Sequence, residues 1–308
     1  MPSSKRILVF ILGPTGVGKS AVALRLAETR GGEIISCDSM QAYRGFDIGT
    51  DKPSPEDRAR VPHHLIDVAD AGTQFNAADF AARALEAIAD IRGRGRLPLV
   101  IGGTGLYFKA LEDGLFPGPG RDEAIRLALD AEARSRGPEV LWEHLAAVDP
   151  EYAARTGRRD RVRIIRALEV HALTGRPLSE HFRRTEGRLR DERLVKIGLD
   201  RPRADLYRRI EERVDRMFER GLIEETRALL AGGVPDSAAP FKALGYKHVL
   251  RVLHGELSPA EAAAGTKIDT RHYAKRQMTW FRKTADVRWI NPDETDPAEI
   301  LADGWGTA

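Results

Sequence analysis

The chain has 308 residues, of which 42% are hydrophobic and 31% charged, and its formal net charge at pH 7 is +3. Such a composition is typical of one large globular domain or two modest ones, and no apolar run approaches the ~20 residues of a membrane span. The single cysteine, Cys37, excludes an internal disulfide and a multi-cysteine zinc site, so we expect a protein of a reducing, cytoplasmic compartment.

The chain begins with a predicted strand and a phosphate-binding loop. The apolar run RILVFIL, residues 6–12, leads into GPTGVGKS, which fits the pattern G-x-x-x-x-G-K-[ST] and precedes a helical pattern. The glycines let backbone N–H groups turn into one concavity, the helix N-terminus and the lysine add positive charge, and the serine hydroxyl suits Mg²⁺. The predicted diphosphate or triphosphate site comprises Gly13, Pro14, Thr15, Gly16, Val17, Gly18, Lys19 and the metal ligand Ser20. The motif does not show whether the phosphates belong to a nucleotide.

The second predicted strand, EIISC, ends just before Asp38 and Ser39. In an open parallel sheet, ligands bind at the carboxyl ends of the strands, which would place Asp38 near the phosphate-binding loop. There it would serve as a general base or a metal ligand, although its position is equally compatible with a helix N-cap. The segment 41–53 contains too many Gly, Pro and Asp residues for regular structure and is interpreted as a functional loop.

Further strands and helices then alternate. Residues 76–92 predict an amphipathic helix capped by Asn76, and LPLVIGG, residues 97–103, predicts a buried strand before a helix that begins at Thr104. This alternation predicts the α/β class, with a P-loop-type parallel sheet flanked by helices. We interpret the pair His63 and His64 as structural, because no second pair of ligands follows at a metal-site spacing.

One feature of nucleoside triphosphatases is weak in this sequence. These enzymes usually end a buried strand with an Asp that holds Mg²⁺. LPLVIGG ends in glycines instead, and the other candidate, VKIGLD ending at Asp200, is poorly apolar. The sequence therefore argues against an ATPase but leaves a kinase open.

The pattern changes at FPGPG, residues 116–120, which we interpret as a hinge. Residues 121–182 are helical in periodicity, and the clearest helix is 160–175, with a predicted apolar stripe of Val162, Ile165, Leu168 and Ala172. We expect a helical insertion domain at 116–193, inside a core domain formed by 1–115 and 194–308.

After the strand LVKIGLD, the predicted helix 205–221 has two distinct faces. One face is apolar, and a neighbouring stripe contains Arg209, Arg213, Arg216 and Arg220. Such a stripe is either solvated or supplies an arginine to leaving phosphates. Further on, residues 270–283 interleave Tyr273, Trp280 and Phe281 with basic side chains, a pattern compatible with stacking on single-stranded bases or with a helix core.

Positive charge is concentrated in two segments. Residues 155–193 contain twelve arginines against six acidic residues, and residues 266–288 contain seven basic residues against two acidic ones. A single segment of this kind is often a solvated helix face. Two of them beside a phosphate-binding loop favour a polyanionic partner such as nucleic acid.

From Ile7 to about Trp289 the chain resembles the tRNA dimethylallyltransferase (isopentenyltransferase) family in its bacterial form. The resemblance rests on, in order, GPTGVGKS, DSMQAYRGFDIGTDKP, LPLVIGGTGLYFKAL, RIIRALEV, LYRRIEERVDRM, ALGYK and AKRQMTWFRK. It implies transfer of a dimethylallyl group from dimethylallyl diphosphate to the exocyclic N6 amine of an adenosine next to the tRNA anticodon. It also implies Mg²⁺ as cofactor, and we expect a monomer that does not associate with membranes.

The resemblance also implies residue roles. Thr15, Lys19 and Ser20 of the phosphate-binding loop would hold the prenyl diphosphate, Asp38 would be the general base, Thr104 would lie near substrate and Arg213 would hold the diphosphate. The segments that match tRNA-contacting parts of the family are Asp38, Ser39, Met40 and Gln41, then Arg126, then Val162, Arg163, Ile164, Ile165 and Arg166, and finally Lys242, Ala243, Leu244, Gly245, Tyr246 and Lys247. Val162 stands where the family often has a glutamine.

Two other functions use the same motifs. A small-molecule kinase would bind ATP at the phosphate-binding loop, and its function would leave both basic segments without a role. An RNA-binding protein with a vestigial loop would have no use for Lys19, Ser20 and Asp38. The bound ligand distinguishes the three: dimethylallyl diphosphate, ATP or neither.

Overall fold

The structure is a computed structural model that describes residues 6–116, 118–137, 139–185, 187–190 and 192–302. It divides into two compact units, one of Met1–Leu111 with Leu189–Ala308 (the core unit) and one of Glu112–Arg188 (the helical unit). Of the predicted hinge, Pro117 lies outside the described residues. The predicted insertion ends too late, because Glu192 and Arg193 already pair with the first strand of the sheet.

Six strands, fourteen α-helices and one 3-10 turn are formed within the described residues. The strands are β1 (Arg6–Leu12), β2 (Gly32–Ser36), β3 (His63–His64), β4 (Leu97–Gly102), β5 (Glu192–Leu199) and β6 (Val287–Ile290). The helices up to the end of the helical unit are α1 (Lys19–Arg30), α2 (Pro55–Arg60), α3 (Ala77–Gly93), α4 (Gly105–Glu112), α5 (Glu123–Arg136), α6 (Glu139–Val148), α7 (Pro150–Ala154), α8 (Arg161–Thr174) and α9 (Leu178–Arg183). The remaining helices are α10 (Arg203–Glu219), α11 (Leu222–Ala231), a 3-10 turn (Ala239–Lys242), α12 (Leu244–Leu253), α13 (Pro259–Phe281) and α14 (Pro297–Ala302).

The core unit is built on one parallel sheet with the strand order β3-β2-β4-β1-β5-β6. The central strand β1 is buried from Leu8 to Leu12, as expected of a parallel strand covered on both faces. The predicted α/β class with a parallel, helix-flanked sheet is therefore confirmed. Because all six strands run in one direction, the loops after β1, β2 and β4 meet at one edge of the sheet.

Helix α10 packs its apolar face into the interior of the core unit, with Leu206 and Ile210 against the sheet and Met217 in a second hydrophobic cluster. Leu206, Ile210, Val214 and Met217 are buried, as the 3.6-residue periodicity predicts. The loop approaches α10 so closely that a Cβ at Gly16, whose φ is +82°, would lie 2.8 Å from Ile210 Cγ1. Burial of the apolar face thus fixes the neighbouring arginine stripe of α10 beside the loop.

The helical unit has a hydrophobic core of its own, formed by α5 to α9. On α8 the predicted apolar stripe is wrong in part: Val162 is 78% exposed and Ala172 is exposed. The buried face contains Ile164, Ile165 and Leu168. The prediction failed because an apolar residue in the first turn of a helix can project beyond the core that the helix covers. Within the described ranges no helix is both long and apolar enough to cross a membrane.

Candidate active site

A cavity of about 780 Å³ opens in the core unit at the carboxyl ends of the strands. It is lined by the loops after β1, β2 and β4 and by residues of α10, the 3-10 turn, α12 and α13. The lining includes residues of the phosphate-binding loop, the predicted base, and arginines and an aromatic residue of two helices, namely Thr15, Lys19, Ser20, Asp38, Arg209, Arg213, Arg216, Tyr273 and Arg276. The edge of the sheet therefore brings the phosphate-binding loop, Asp38 and the arginines of α10 into one space.

The phosphate-binding loop is held in place through its carbonyl groups. Lys19 Nζ donates to the carbonyls of Gly13 and Pro14 at 2.9 and 2.8 Å. Arg209 Nε donates to the Gly16 carbonyl at 3.1 Å, and Arg201 Nε to the Val17 carbonyl at 2.8 Å. These bonds surround the loop with positive charge, which suits an anionic ligand.

The charge state of Lys19 is sensitive to its surroundings. Burial, and secondly the nearby positive charge of Arg213, lower the pKa of its ammonium group from 10.5 to about 7. The negative charge of Asp38 opposes this shift. In the free protein the pKa of Lys19 thus lies close to neutral pH. A bound diphosphate would raise this pKa, because its negative charge favours the protonated form.

Asp38 lies at the carboxyl end of β2 and its side chain lines the cavity. Its Oδ1 accepts a hydrogen bond from the Met40 N–H at 2.8 Å, which closes a turn. The alternative role as a helix N-cap is wrong, because the next helix is α2 and its cap is Ser54. A carboxylate in this position can accept a proton from a ligand in the cavity.

Thr104 does not line the cavity but shapes the loop that carries Asp38. Its Oγ1 accepts a hydrogen bond from the Ser39 N–H at 3.1 Å, and its own N–H donates to the Cys37 carbonyl at 3.3 Å. These two bonds tie the loop after β4 to the loop after β2. In the structure Thr104 thus positions the residues beside Asp38.

Arg213 projects from α10 to the phosphate-binding loop. Its Nη1 donates to Thr15 Oγ1, and its Nε lies 2.9 Å from Asp51 Oδ2. The neighbouring Arg209 and Arg216 also line the cavity, whereas Arg220 lies 3.8 Å from Asp51 Oδ1. The stripe predicted on this helix is therefore directed at the site rather than fully solvated.

Gln277, a buried side chain of α13, is a site residue that was not predicted from the sequence. Its Oε1 accepts from the Thr15 N–H at 2.8 Å, and its Nε2 donates to the Gly103 carbonyl at 2.9 Å. The contact is so close that a Cβ at Gly103 would lie 2.0 Å from Nε2. The available signal was a polar residue on the same helix face as the buried Thr270 and Ala274. Gln277 joins the phosphate-binding loop to the loop after β4.

Two of the segments predicted to contact tRNA line the same cavity. Its walls include Ser39, Met40, Gln41, Lys242, Ala243, Leu244 and Gly245. Tyr246 is instead fully buried in the core, where its hydroxyl donates to Glu225, so its side chain offers no surface to RNA. Lys247 is half-exposed and pairs with Asp269 at 2.5 Å.

The other predicted tRNA contacts lie in the helical unit. Arg126 and Arg166 both bind the buried carboxylate of Glu169, with N···O distances of 2.7 Å. Burial alone would raise the pKa of Glu169, but the hydrogen bonds from these two arginines lower it to about 2. Arg163 and Val162 are exposed. The predicted tRNA contact is wrong for the side chains of Ile164 and Ile165, because both are buried in the core of the helical unit.

The aromatic residues of α13 divide between the site and the core. Tyr273 lines the cavity, where Arg276 lies over its ring at 5.7 Å from the centroid. Trp280 is 37% exposed, and Phe281 is buried at 1% exposure. The structure therefore excludes Phe281 as a base-stacking residue and leaves Tyr273 and Trp280 accessible.

The donor set at the phosphate-binding loop suits a metal ion that arrives with its ligand. Ser20 is exposed at the start of α1 and lines the cavity, as does Asp38. Among the residues described, no group of three or more His, Cys, Asp or Glu side chains could hold a metal ion. Mg²⁺ usually binds through one or two protein oxygens together with substrate phosphates, which fits this arrangement.

The chain is similar to a defined set of proteins over nearly its whole length. A family model described as IPP transferase matches residues 41–284, and one described as Isopentenyl transferase matches residues 6–69. The tRNA dimethylallyltransferase of Geobacter sulfurreducens is 51% identical over 97% of this chain and 96% of its own length. That of Geobacter metallireducens is 52% identical over 93% of each chain.

Solved structures give the same result. The tRNA isopentenylpyrophosphate transferase of Bacillus halodurans is 42% identical, with a TM-score of 0.70 over 97% of this chain and 94% of its own. A eukaryotic dimethylallyltransferase described as acting on tRNA is 28% identical, with a TM-score of 0.81 over 96% of this chain and 77% of its own. The similarity therefore covers both the fold and the sequence.

Proposed function

The chain belongs to the IPP transferase family, and we propose that it transfers the dimethylallyl group of dimethylallyl diphosphate to the N6 amine of an adenosine next to a tRNA anticodon. The observation that carries this proposal is the single cavity that combines the phosphate-binding loop, Asp38 and Arg213. An aromatic amine is a weak nucleophile, so the site must align it with the allylic carbon, accept a proton and stabilise the leaving diphosphate.

Residues that line the cavity can accept the proton and stabilise the leaving diphosphate. The N6–C1 bond forms as the C1–O bond to the diphosphate breaks, and Asp38 takes the proton that N6 loses. Lys19, Arg213 and the amides of the phosphate-binding loop stabilise the charge on the departing diphosphate. The apolar side chains Ile101, Val214 and Met217 also line the cavity and suit the dimethylallyl chain.

Ser20 would hold Mg²⁺ together with the diphosphate. The ion, when bound, supplies positive charge that partly neutralises the two phosphates. All other roles in the proposal belong to side chains and amides of this chain.

The tRNA would be recognised through charge and through an unstacked base. Single-stranded loops present bases that can be extruded into a pocket and stacked on aromatic side chains. Tyr273, Trp280 and the basic side chains of α13 suit this task, and Arg163 offers an exposed cation on the helical unit.

A kinase is not favoured. The relatives that match nearly the whole chain are tRNA dimethylallyltransferases. Asp200, the other strand-end candidate for holding Mg²⁺, pairs with Arg282 and does not line the cavity. The carboxylate that a nucleoside triphosphatase would need at this strand end to hold Mg²⁺ is thus paired with Arg282.

A transfer assay tests the proposed function. The full-length protein, mixed with radiolabelled dimethylallyl diphosphate, Mg²⁺ and unmodified tRNA, should label the tRNA at an anticodon-adjacent adenosine without ATP. A matched tRNA with that adenosine replaced by guanosine should remain unlabelled. Labelling that requires ATP, or phosphorylation of a small molecule instead, would contradict the proposal.

The lowered pKa of Lys19 predicts a pH dependence for binding of dimethylallyl diphosphate alone. The free protein has a pKa near 7 at this group, and the bound anion raises it, so binding takes up a proton above pH 7. The affinity for dimethylallyl diphosphate should be highest below pH 7, where Lys19 is protonated in the free protein, and should fall as the pH rises. If the pKa of Lys19 in the complex exceeds about 10, the affinity should fall by about 50-fold between about pH 7 and about pH 9.

The measurement is the dissociation constant by calorimetry across this pH range. Lys19→Arg keeps the charge at all these pH values and should bind with a nearly flat profile. An equally flat profile in the wild type would show that Lys19 does not titrate near neutrality.

A further inference from the structure

A carboxylate that the proposed reaction does not use lies against the diphosphate-binding arginine. Asp51 lines the cavity, and its Oδ2 is 2.9 Å from Arg213 Nε. The other end of the same guanidinium donates to Thr15 Oγ1 in the phosphate-binding loop. A diphosphate held by Arg213 and the loop would therefore share this guanidinium with Asp51.

The position of Asp51 is fixed by its own loop. Its φ is +53°, in the left-handed region, and its N–H donates to the Ile48 carbonyl at 3.0 Å. Gln41 Nε2 donates to the Asp51 carbonyl at 3.2 Å, and the carboxylate of Glu225 accepts from the Ile48 N–H at 2.9 Å. These hydrogen bonds thus hold the loop, and with it Asp51, in a defined position beside Arg213.

The pair itself is easily displaced. The Asp51 side chain is 43% exposed, so solvent screens its attraction to Arg213. Arg213 Nε is buried, yet it forms no aligned hydrogen bond with any described residue. Arg220, whose Nη1 is 3.8 Å from Asp51 Oδ1, offers the carboxylate a second cation.

We propose that Asp51 weakens diphosphate binding by pairing with Arg213, and so favours release of the diphosphate product. The inference rests on the proposed function, since it assigns the diphosphate to Arg213. Before ligand binds, Asp51 compensates part of the charge of Arg213. When the diphosphate binds, it competes with Asp51 for this charge. The same residue that keeps Arg213 in place thereby limits how long the product stays.

A purely structural role of Asp51 predicts the opposite effect on the affinity for diphosphate. If Asp51 served only to orient Arg213, its removal would loosen the arginine and weaken binding. The two roles therefore predict changes of opposite sign in the affinity for diphosphate, and a gain in affinity cannot arise from damage to the fold.

Asp51→Asn separates them. Asn tolerates the left-handed backbone as Asp does and keeps the volume of the side chain, so only the charge is lost. Titration of the full chain with inorganic diphosphate and Mg²⁺ should show a dissociation constant about tenfold lower than that of the wild type. Inhibition of multiple-turnover transfer by added diphosphate should become stronger in parallel.

Asp70→Asn is the matched control. Asp70 is exposed, pairs with Arg44 and does not line the cavity, so its variant loses the same formal charge and should bind diphosphate like the wild type. In an Arg213→Ala background, the gain from Asp51→Asn should shrink to less than about twofold, because the partner is absent.

The outcomes are distinct. An unchanged or higher dissociation constant in Asp51→Asn would overturn the inference, as would a tenfold gain that persists without Arg213. A wild-type protein that binds no diphosphate at all would overturn the proposed function and the inference with it.

Discussion

Replacement of Asp38 by Asn should slow single-turnover transfer of dimethylallyl to tRNA by roughly 10²–10⁴-fold, the usual contribution of a positioned base. The variant keeps the oxygen that accepts from the Met40 N–H, so the turn after β2 should survive. Binding of dimethylallyl diphosphate and of tRNA should stay near wild type, since the substitution keeps the volume and the hydrogen-bonding reach of the side chain.

A Mg²⁺ titration distinguishes a base from a metal ligand. If Asp38 mainly held the ion, excess Mg²⁺ would restore much of the rate in the Asn variant. A rate within about threefold of wild type at all Mg²⁺ concentrations would be too small a loss for a base and would leave Asp38 with its turn-closing role alone.

Replacement of Gln277 by Leu should damage both stability and the phosphate-binding loop. It leaves the part-buried Thr15 N–H and the buried Gly103 carbonyl without this partner, at about 1–3 kcal/mol for each buried unsatisfied group. The free energy of unfolding should fall by roughly 2–5 kcal/mol. Affinity for dimethylallyl diphosphate should fall by about tenfold or more, because the loop loses the bond that fixes Thr15 beside Arg213.

Denaturant unfolding and calorimetry measure the two effects. Thr279→Ala, on the exposed face of the same helix, loses one local hydrogen bond to the Lys275 carbonyl and should leave affinity unchanged. Gln277→Glu keeps the acceptor for Thr15 but loses the donor to Gly103, so it should lower the free energy of unfolding and still bind the diphosphate weakly. Wild-type affinity in both Gln277 variants would show that the loop is held without this side chain.

The parts of the fold that follow from local chemistry were predictable. The phosphate-binding loop, the cap of α3 at Asn76 and the apolar face of α10 depend on residues close together in sequence, and the structure has them as expected. The tRNA dimethylallyltransferase resemblance is likewise confirmed by the family and its relatives.

The contacts between segments that are distant along the chain could not be predicted from the sequence. Thr15 and Gln277 are joined across most of the chain, and Asp51 reaches Arg213 from a loop with no regular structure. Tyr246 was assigned to tRNA because it stands in a matching motif, yet its ring is buried and only its neighbours line the cavity. A motif marks a segment, whereas tertiary packing decides which of its side chains face a ligand.

The sheet register has a consequence for how the protein is made. β1 carries the phosphate-binding loop, yet one of its two neighbours, β5, pairs Arg6 with Glu192 and is synthesised only after the whole helical unit. At about 5–20 residues per second, the ribosome needs roughly 10–40 s between these two strands. During that interval one edge of β1 is unpaired, and a nascent chain in this state is exposed to misassociation and to chaperones. The helical unit has its own apolar core and can become compact first, so the unit that contains the candidate active site is the last to be completed.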